Sequence, residues 1–276
     1  MQIHQDLSAS IQLSRINPIS SRRDGQGSPV LLFHGIAASN LDWKFLTPLL
    51  VQHGFQVVSP DLPGHGESIK PKDASQYTYD WLYTNIQAWV EELRFEENLT
   101  LIGHSLGGLI CLHLAKDLPD RVSRLVLIDP FFHPQQLSPL LRFVNRRPEL
   151  CSKALEAAPP WLIQAVITMD INSFISFNRR TRWQIALDYK RASPHILHLA
   201  RTIPEIVDDL SRISQPTLVI WGEKDLTLAP QTFPHLISTL PNARGCPVPG
   251  TGHQPHLALP EKVNRLILTF LREDLP

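Results

Sequence analysis

Gly103-His104-Ser105-Leu106-Gly107 places a serine between two glycines two residues away on either side, the G-x-S-x-G spacing of a nucleophile elbow. A serine hydroxyl is far too weak an acid to attack a carbonyl unaided. It needs a base within hydrogen-bond reach and a third group to hold that base in its reactive tautomer. The chemistry such a serine offers is acyl transfer. An ordinary strand-to-helix turn rich in small residues would look similar, but the context favours the elbow. The apolar run Leu99-Thr100-Leu101-Ile102 precedes the serine, and a helical pattern over Leu106–Ala115 follows it. Other site chemistries lack their residues. There is no G-x-x-x-x-G-K-[ST] or G-x-G-x-x-G phosphate loop and no H-E-x-x-H. His195 and His198 read as one helix surface rather than a zinc pair. Neither a metal nor an organic cofactor is expected.

The elements that must position this serine alternate along the chain. Apolar runs at Pro29–His34, Gln56–Pro60, Leu99–Gly103, Val122–Ile128, Pro216–Trp221 and, more weakly, Ala243–Val248 lack polar alternation. That is how strands covered on both faces of a parallel sheet read. Helix-period stretches lie between them, near Trp43–Gln52, Thr78–Arg94, Leu106–Leu118, Pro230–Thr239 and His256–Leu271. The alternation implies βαβ units and helices on both faces of the sheet. Ile3–Leu7 and Ile11–Ile16 suggest a leading antiparallel hairpin. Between Pro130 and Ser214 no strand-like run occurs, only helical ones at Gln136–Asn145, Pro148–Ala157, Trp161–Ile167, Arg179–Tyr189 and Pro194–Arg201. Such an insertion reads as a helical cap over the sheet edge where ligands of open α/β sheets bind.

Composition narrows the partners. With 276 residues, the chain is long enough to fold without disulfides or metal. Twenty-six Lys and Arg balance 26 Asp and Glu, so no long-range field draws in nucleic acid or an acidic membrane. No apolar run approaches the ~18 residues of a membrane span, and Met1–Ser10 lacks the apolar core of a signal peptide. Cys111, Cys151 and Cys246 are odd in number and far apart, which makes a reducing cytoplasm the expected location. The 24 prolines exceed the ~5% average and are spread along the chain, as turn and helix-start punctuation would be.

The chain resembles the α/β-hydrolase fold family over about Pro29–Pro134 and Ser214–Leu271, and only loosely in the cap. The motifs that carry the likeness are His34-Gly35-Ile36, Asp61-Leu62-Pro63-Gly64-His65-Gly66-Glu67-Ser68, the elbow with Gly108, Trp221-Gly222-Glu223-Lys224-Asp225 and Gly252-His253. The resemblance implies a mostly parallel eight-stranded sheet with helices on both faces. It assigns residues 1–130 and 214–276 to a core domain and 131–213 to a helical cap. It also implies the order Ser…Asp…His, with Ser105 as nucleophile, His253 as base and Asp225 as the acid. Asp129 is the rival acid, because it ends the preceding strand and some family members carry the acid there; His256 is the rival base. His34, His65 and His104 read as structural. The backbone N–H groups of Leu106 and Ile36 would stabilise the oxyanion, each such donor being worth roughly 2.7–4 kcal/mol.

A serine at the nucleophile position counts against the dehalogenase and epoxide-hydrolase branches, which form alkyl esters on a carboxylate. The expected function is hydrolysis of a carboxylic ester, thioester or lactone through an acyl-serine. A C–C bond hydrolase, perhydrolase or acyl transferase on the same triad stands as the alternative, and a non-catalytic binding module as a third. The apolar middle of the cap nominates Trp161 and Phe174 as substrate contacts for a small apolar ester, against the plainer reading that they pack the cap onto the core. Arg179, Arg180 and Arg182 could attract a substrate carboxylate or simply form a solvated face.

Overall fold

The structure, a computed structural model, describes residues 10–13, 18–167 and 177–273. Eight strands form one sheet: β1 (Ser10–Leu13), β2 (Ser20–Asp24), β3 (Ser28–Phe33), β4 (Phe55–Pro60), β5 (Leu99–His104), β6 (Val122–Ile128), β7 (Thr217–Gly222) and β8 (Ala243–Val248). Their spatial order is β1-β2-β4-β3-β5-β6-β7-β8. The strands from β3 onward pair in parallel, while β1 with β2 and β2 with β4 are antiparallel. All six apolar runs are therefore strands. An antiparallel ribbon joins Ser10–Leu13 to Ser20–Asp24; Ile3–Leu7, the first half of the expected hairpin, lies outside the described residues. Ser-Ser-Arg-Arg-Asp has no apolar signature to reveal β2. Backbone pairing on both sides holds it, and Ser68 Oγ accepts the Ser20 N–H at 2.9 Å.

The pleat sends successive residues of the central strands into two separate cores. Leu31, Phe33, Leu101, Leu125, Leu127 and Val219 join one cluster. There they meet α2 (Tyr79–Glu92), α3 (Leu106–Asp117) and α8 (Phe233–Thr239) through residues such as Leu82, Ile86, Leu109 and Phe233. Val30, Leu32, Ile102, Val126, Ile128 and Ile220 join the other, against α1 (Thr47–Gln52) and α10 (Pro260–Arg272) through Leu50, Val263, Ile267 and Phe270. This explains why the strands show no polar alternation.

Between β6 and β7 the described residues hold no strand. They form α4 (Pro139–Arg146), α5 (Pro148–Ala157), α6 (Pro160–Ile167) and α7 (Arg179–Arg191), then tighter 3₁₀ turns at Pro194–Arg201 and Val207–Arg212. The last predicted helix of this stretch is thus a 3₁₀ segment. Pro139, Pro148, Pro160, Pro255 and Pro260 each open a helix. At that position the missing N–H costs no intrahelical bond; this accounts for part of the proline excess. The short α9 (Pro255–Ala258) completes the set.

The order of the sheet positions everything that follows. From β3 the chain steps outward to β4, then returns to β5 on the opposite side. The reversal leaves a crevice at the carboxyl ends of β3 and β5, the place where open α/β sheets bind ligands. The first turn of α3 presses on that point. A Cβ on Gly107 would stand 2.0 Å from the Phe33 carbonyl oxygen and 2.8 Å from that of His34. Both obstacles are backbone, so Gly107→Ala should lower unfolding free energy by about 3 kcal/mol or more, at the top of the overpacking range. Urea unfolding checks this; a loss below about 0.5 kcal/mol, the scale of an inconsequential surface change, would contradict the packing described.

Candidate active site

Ser105 joins β5 to α3 with φ 52° and ψ −114°, in a region that L-residues rarely adopt. Such a conformation costs of order 1–3 kcal/mol and persists only where its surroundings over-determine it. Here the Ser105 N–H donates to Ile128 O at 3.0 Å, and its carbonyl accepts the N–H groups of Gly108, Leu109 and Phe131 at 2.9, 3.3 and 3.1 Å. Strand, helix and the loop after β6 together lock the turn. The Leu106 N–H opens α3, where no intrahelical acceptor exists and the helix dipole favours negative charge. The loop after β3 turns through Ala37 at φ 56°. It lies close enough that a Cβ on Gly35 would sit 3.3 Å from Ser105 Cβ. Among the described residues neither the Ile36 nor the Leu106 N–H donates to a backbone or side-chain acceptor.

The loop after β8 brings His253 to this edge. Its Nδ1–H donates to Asp225 Oδ2 at 2.8 Å. The other Asp225 oxygen accepts the Thr227 and Leu228 N–H groups at 2.7 and 3.0 Å. Burial alone would raise the Asp225 carboxyl, but the His253 ring and these two amides outweigh it and hold the group below the usual carboxylate range. Gly222 makes the approach possible, since a Cβ there would stand 2.0 Å from Gly252 O. His104, one residue before the serine, ties the same loop to the elbow. Its Nε2–H donates to the His253 carbonyl at 2.8 Å, and the two rings lie 4.8 Å apart. That bond fixes the Nε2–H tautomer of His104, while the His253 ring engages Asp225 through Nδ1 and not Nε2. No hydrogen bond joins Ser105 Oγ to His253 among the described residues; such contacts often tighten only when substrate binds.

The two rivals lie at the same edge but make other contacts. Asp129 ends β6, fully buried, and accepts the Gly222 N–H at 2.9 Å through Oδ1; the His253 ring bonds Asp225 instead. His256 is buried between Trp43 and His104, with ring separations of 5.3 and 4.7 Å. Burial, and to a lesser degree His253 and Lys44, lower it from 6.5 to about 3. His34 donates from Nδ1 to Gly35 O at 2.7 Å and accepts the Leu62 N–H on Nε2 at 2.9 Å. It is neutral and structural, lowered to about 4 mainly by burial. His65, edge-on to His34 at 5.2 Å, is lowered to about 3 for the same reason.

Among the described residues, two groups bring three metal-capable atoms within 4.8 Å: Asp129, Asp225 and His253, and Asp42, His104 and His256. In the first, His253 and the amide donors already serve Asp225. In the second, the nearby Lys44 charge disfavours a cation. Sequence spacing could not reveal the second group, since its members come from a 3₁₀ turn, the end of β5 and α9, far apart along the chain. Trp161 lies on α6, 63% exposed, and Phe174 lies outside the described residues. Arg179 and Arg180 are exposed at the start of α7, while Arg182 donates to Phe177 O at 3.1 Å.

A profile of the alpha/beta hydrolase family matches residues 30–266. The chain is 22% identical over 295 residues to bifunctional epoxide hydrolase 2 of Sus scrofa, covering 91% of this chain and 52% of that protein. It is 35% identical over 144 residues to protein ABHD8 of Bos taurus, covering 52% of this chain and 33% of that protein. The chain thus spans about half of the first relative and a third of the second. Among solved structures, a thermophilic esterase from Thermogutta terrifontis is similar with a TM-score of 0.77 and 27% identity, over 95% of this chain and 97% of the esterase.

The buried histidines give stability a sign with pH. The folded state holds His256 neutral down to about pH 3 whereas an unfolded chain protonates it near 6.5. Its contribution is therefore present above 6.5 and lost as pH falls through that window. His256→Phe, which keeps the stacking, should close on wild type by about 1.4 kcal/mol per pH unit between pH 6 and 4. Urea unfolding at several pH values measures the gap; a pH-invariant gap would contradict the assignment.

Proposed function

The chain belongs to the alpha/beta hydrolase family, and on that premise we propose that it is a serine hydrolase of carboxylic esters, thioesters or lactones, working through an acyl-serine intermediate. One observation carries the reading: the 2.8 Å bond from His253 Nδ1–H to Asp225, on a loop clamped to the strained Ser105 turn. His253 Nε2 takes the Ser105 proton as Oγ attacks the acyl carbon. The Asp225 carboxylate holds the tautomer and stabilises the imidazolium that forms. The Leu106 and Ile36 N–H groups receive the oxyanion, and the helix N-terminus adds its dipole. His253 then protonates the leaving alkoxide or thiolate, and water repeats the sequence on the acyl-enzyme. The likeness to the esterase supports this choice within the family. Attack by a carboxylate on carbon would need Asp or Glu at position 105.

Residues 131–213 act in this reading as a cap over the crevice, set on a core of 1–130 and 214–276. Trp161, largely exposed on α6, and Phe174 would contact the acyl or alkyl chain of a small apolar substrate. The proposed cycle calls on no metal, organic cofactor, nucleic acid or membrane-inserted segment; no helix of the described residues is long and apolar enough to cross a membrane.

A panel of p-nitrophenyl esters of rising chain length tests the reading. Ser105→Ala should keep the far-ultraviolet circular dichroism of wild type and lose on the order of 10⁶ in kcat. Trp161→Ala should alter the chain-length profile more than the rate on acetate. A Ser105→Ala protein keeping a tenth of wild-type activity would overturn the nucleophile assignment, and uniform losses for Trp161→Ala would return that residue to packing.

A further inference from the structure

Asp129 is not used by the proposed cycle, yet its placement is specific. It directly follows β6 at φ 40°, in the left-handed region, just before Pro130. It is fully buried. One carboxyl oxygen accepts the Gly222 N–H at 2.9 Å, while the other, Oδ2, is buried with no hydrogen-bond partner as an acceptor. Metal-capable atoms of Asp129, Asp225 and His253 all lie within 4.8 Å of one another. Two carboxylates that close, away from water, cannot both stay ionised. Three donors converge on Asp225: the His253 ring and the Thr227 and Leu228 amides. Asp129 has one. The negative charge belongs on Asp225 and the proton on Asp129, which then needs an acceptor for its O–H.

We propose that Asp129 is a protonated carboxyl whose Oδ2–H donates a hydrogen bond to the Asp225 carboxylate, making it a positioning residue that orients the acid and moderates its pull on His253. This rests on Ser105, His253 and Asp225 forming the triad. Burial, then the Asp225 charge, raises Asp129 well above the usual carboxylate range, which agrees with the protonated form. The titratable groups that face it are Asp225 from the loop after β7 and His253 from the loop after β8. From α3 it is Gly108, which carries no charge, that packs on the adjoining Pro130. The strain at residue 129 fits a chain held so that this carboxyl reaches the acid.

The test compares wild type, Asp129→Asn and Asp129→Leu by kcat/KM against pH on p-nitrophenyl acetate. Asparagine keeps a donor toward Asp225, so its acid limb should coincide with wild type and its activity stay within about tenfold. Leucine removes the donor and leaves Asp225 a stronger partner for the imidazolium, so the acid limb should move up by about one pH unit, the scale of one hydrogen bond. Infrared difference spectra of wild type minus Asp129→Asn at pH 8 read the proton directly and do not depend on the leucine variant folding. The carbonyl stretch of a protonated carboxylic acid should appear in wild type only. Its absence, or acid limbs identical in all three proteins, would overturn the proposal while leaving the triad intact. Asp225→Asn separates the two readings. A loss of about 10⁴ in kcat supports its role as the acid, whereas a mild loss there with a severe one in Asp129→Asn would transfer that role and overturn both.

Discussion

Because Gly107 has no side chain, the start of α3 rests on the backbone of Phe33 and His34, and the geometry of the site follows from that contact. It sets the helix N-terminus beside the loop after β3, so that two N–H groups from different segments, Leu106 and Ile36, have no hydrogen-bond acceptor among the described residues. It also forces the chain to turn within one residue from strand to helix, which puts Ser105 at positive φ. The strain is maintained by backbone bonds from β6 and α3, and not by the serine side chain. The hydroxyl is therefore free of structural duty, as a nucleophile must be.

Around this turn, burial decides which groups carry charge. His34, His65, His104 and His256 are all pushed down by desolvation, so they serve as neutral rings, and hydrogen bonds to carbonyl oxygens fix the tautomers of the first three. Asp42 and Asp129 are pushed up by the same effect. Asp225 is held low, because donors converge on it. In the proposed cycle this carboxylate, facing a ring that is only partly buried, would steady the imidazolium formed at each step. His104 illustrates how a structural histidine contributes: its bond to the His253 carbonyl couples the His253 loop to the residue beside Ser105.

The elbow was readable from sequence because its signal is local: an apolar run, two glycines around a serine and a helical pattern are contiguous. The buried strands were readable for the same reason. β2 was not, since Ser-Ser-Arg-Arg-Asp is a strand only through pairing with β1 and β4. Sequence alone also left Asp225 and Asp129 in competition, because each ends a parallel strand at the same edge. The structure puts the His253 ring on Asp225 through the path of the β8 loop past Gly222, a close approach between residues thirty positions apart. The convergence of Asp42, His104 and His256 was out of reach for the same reason. In the helical segment the periodicity foretold α5 and α6 well, but where Trp161 would point depended on packing that helical spacing does not encode.

Covalent trapping tests the central claim most directly. A fluorophosphonate ester reacts with a serine only where a base activates the hydroxyl and donors receive the developing oxyanion. Peptide mass spectrometry after stoichiometric treatment should find one adduct, on Ser105, with esterase activity lost in proportion to labelling. An adduct on another residue, or complete modification of Ser105 with activity retained, would contradict the account.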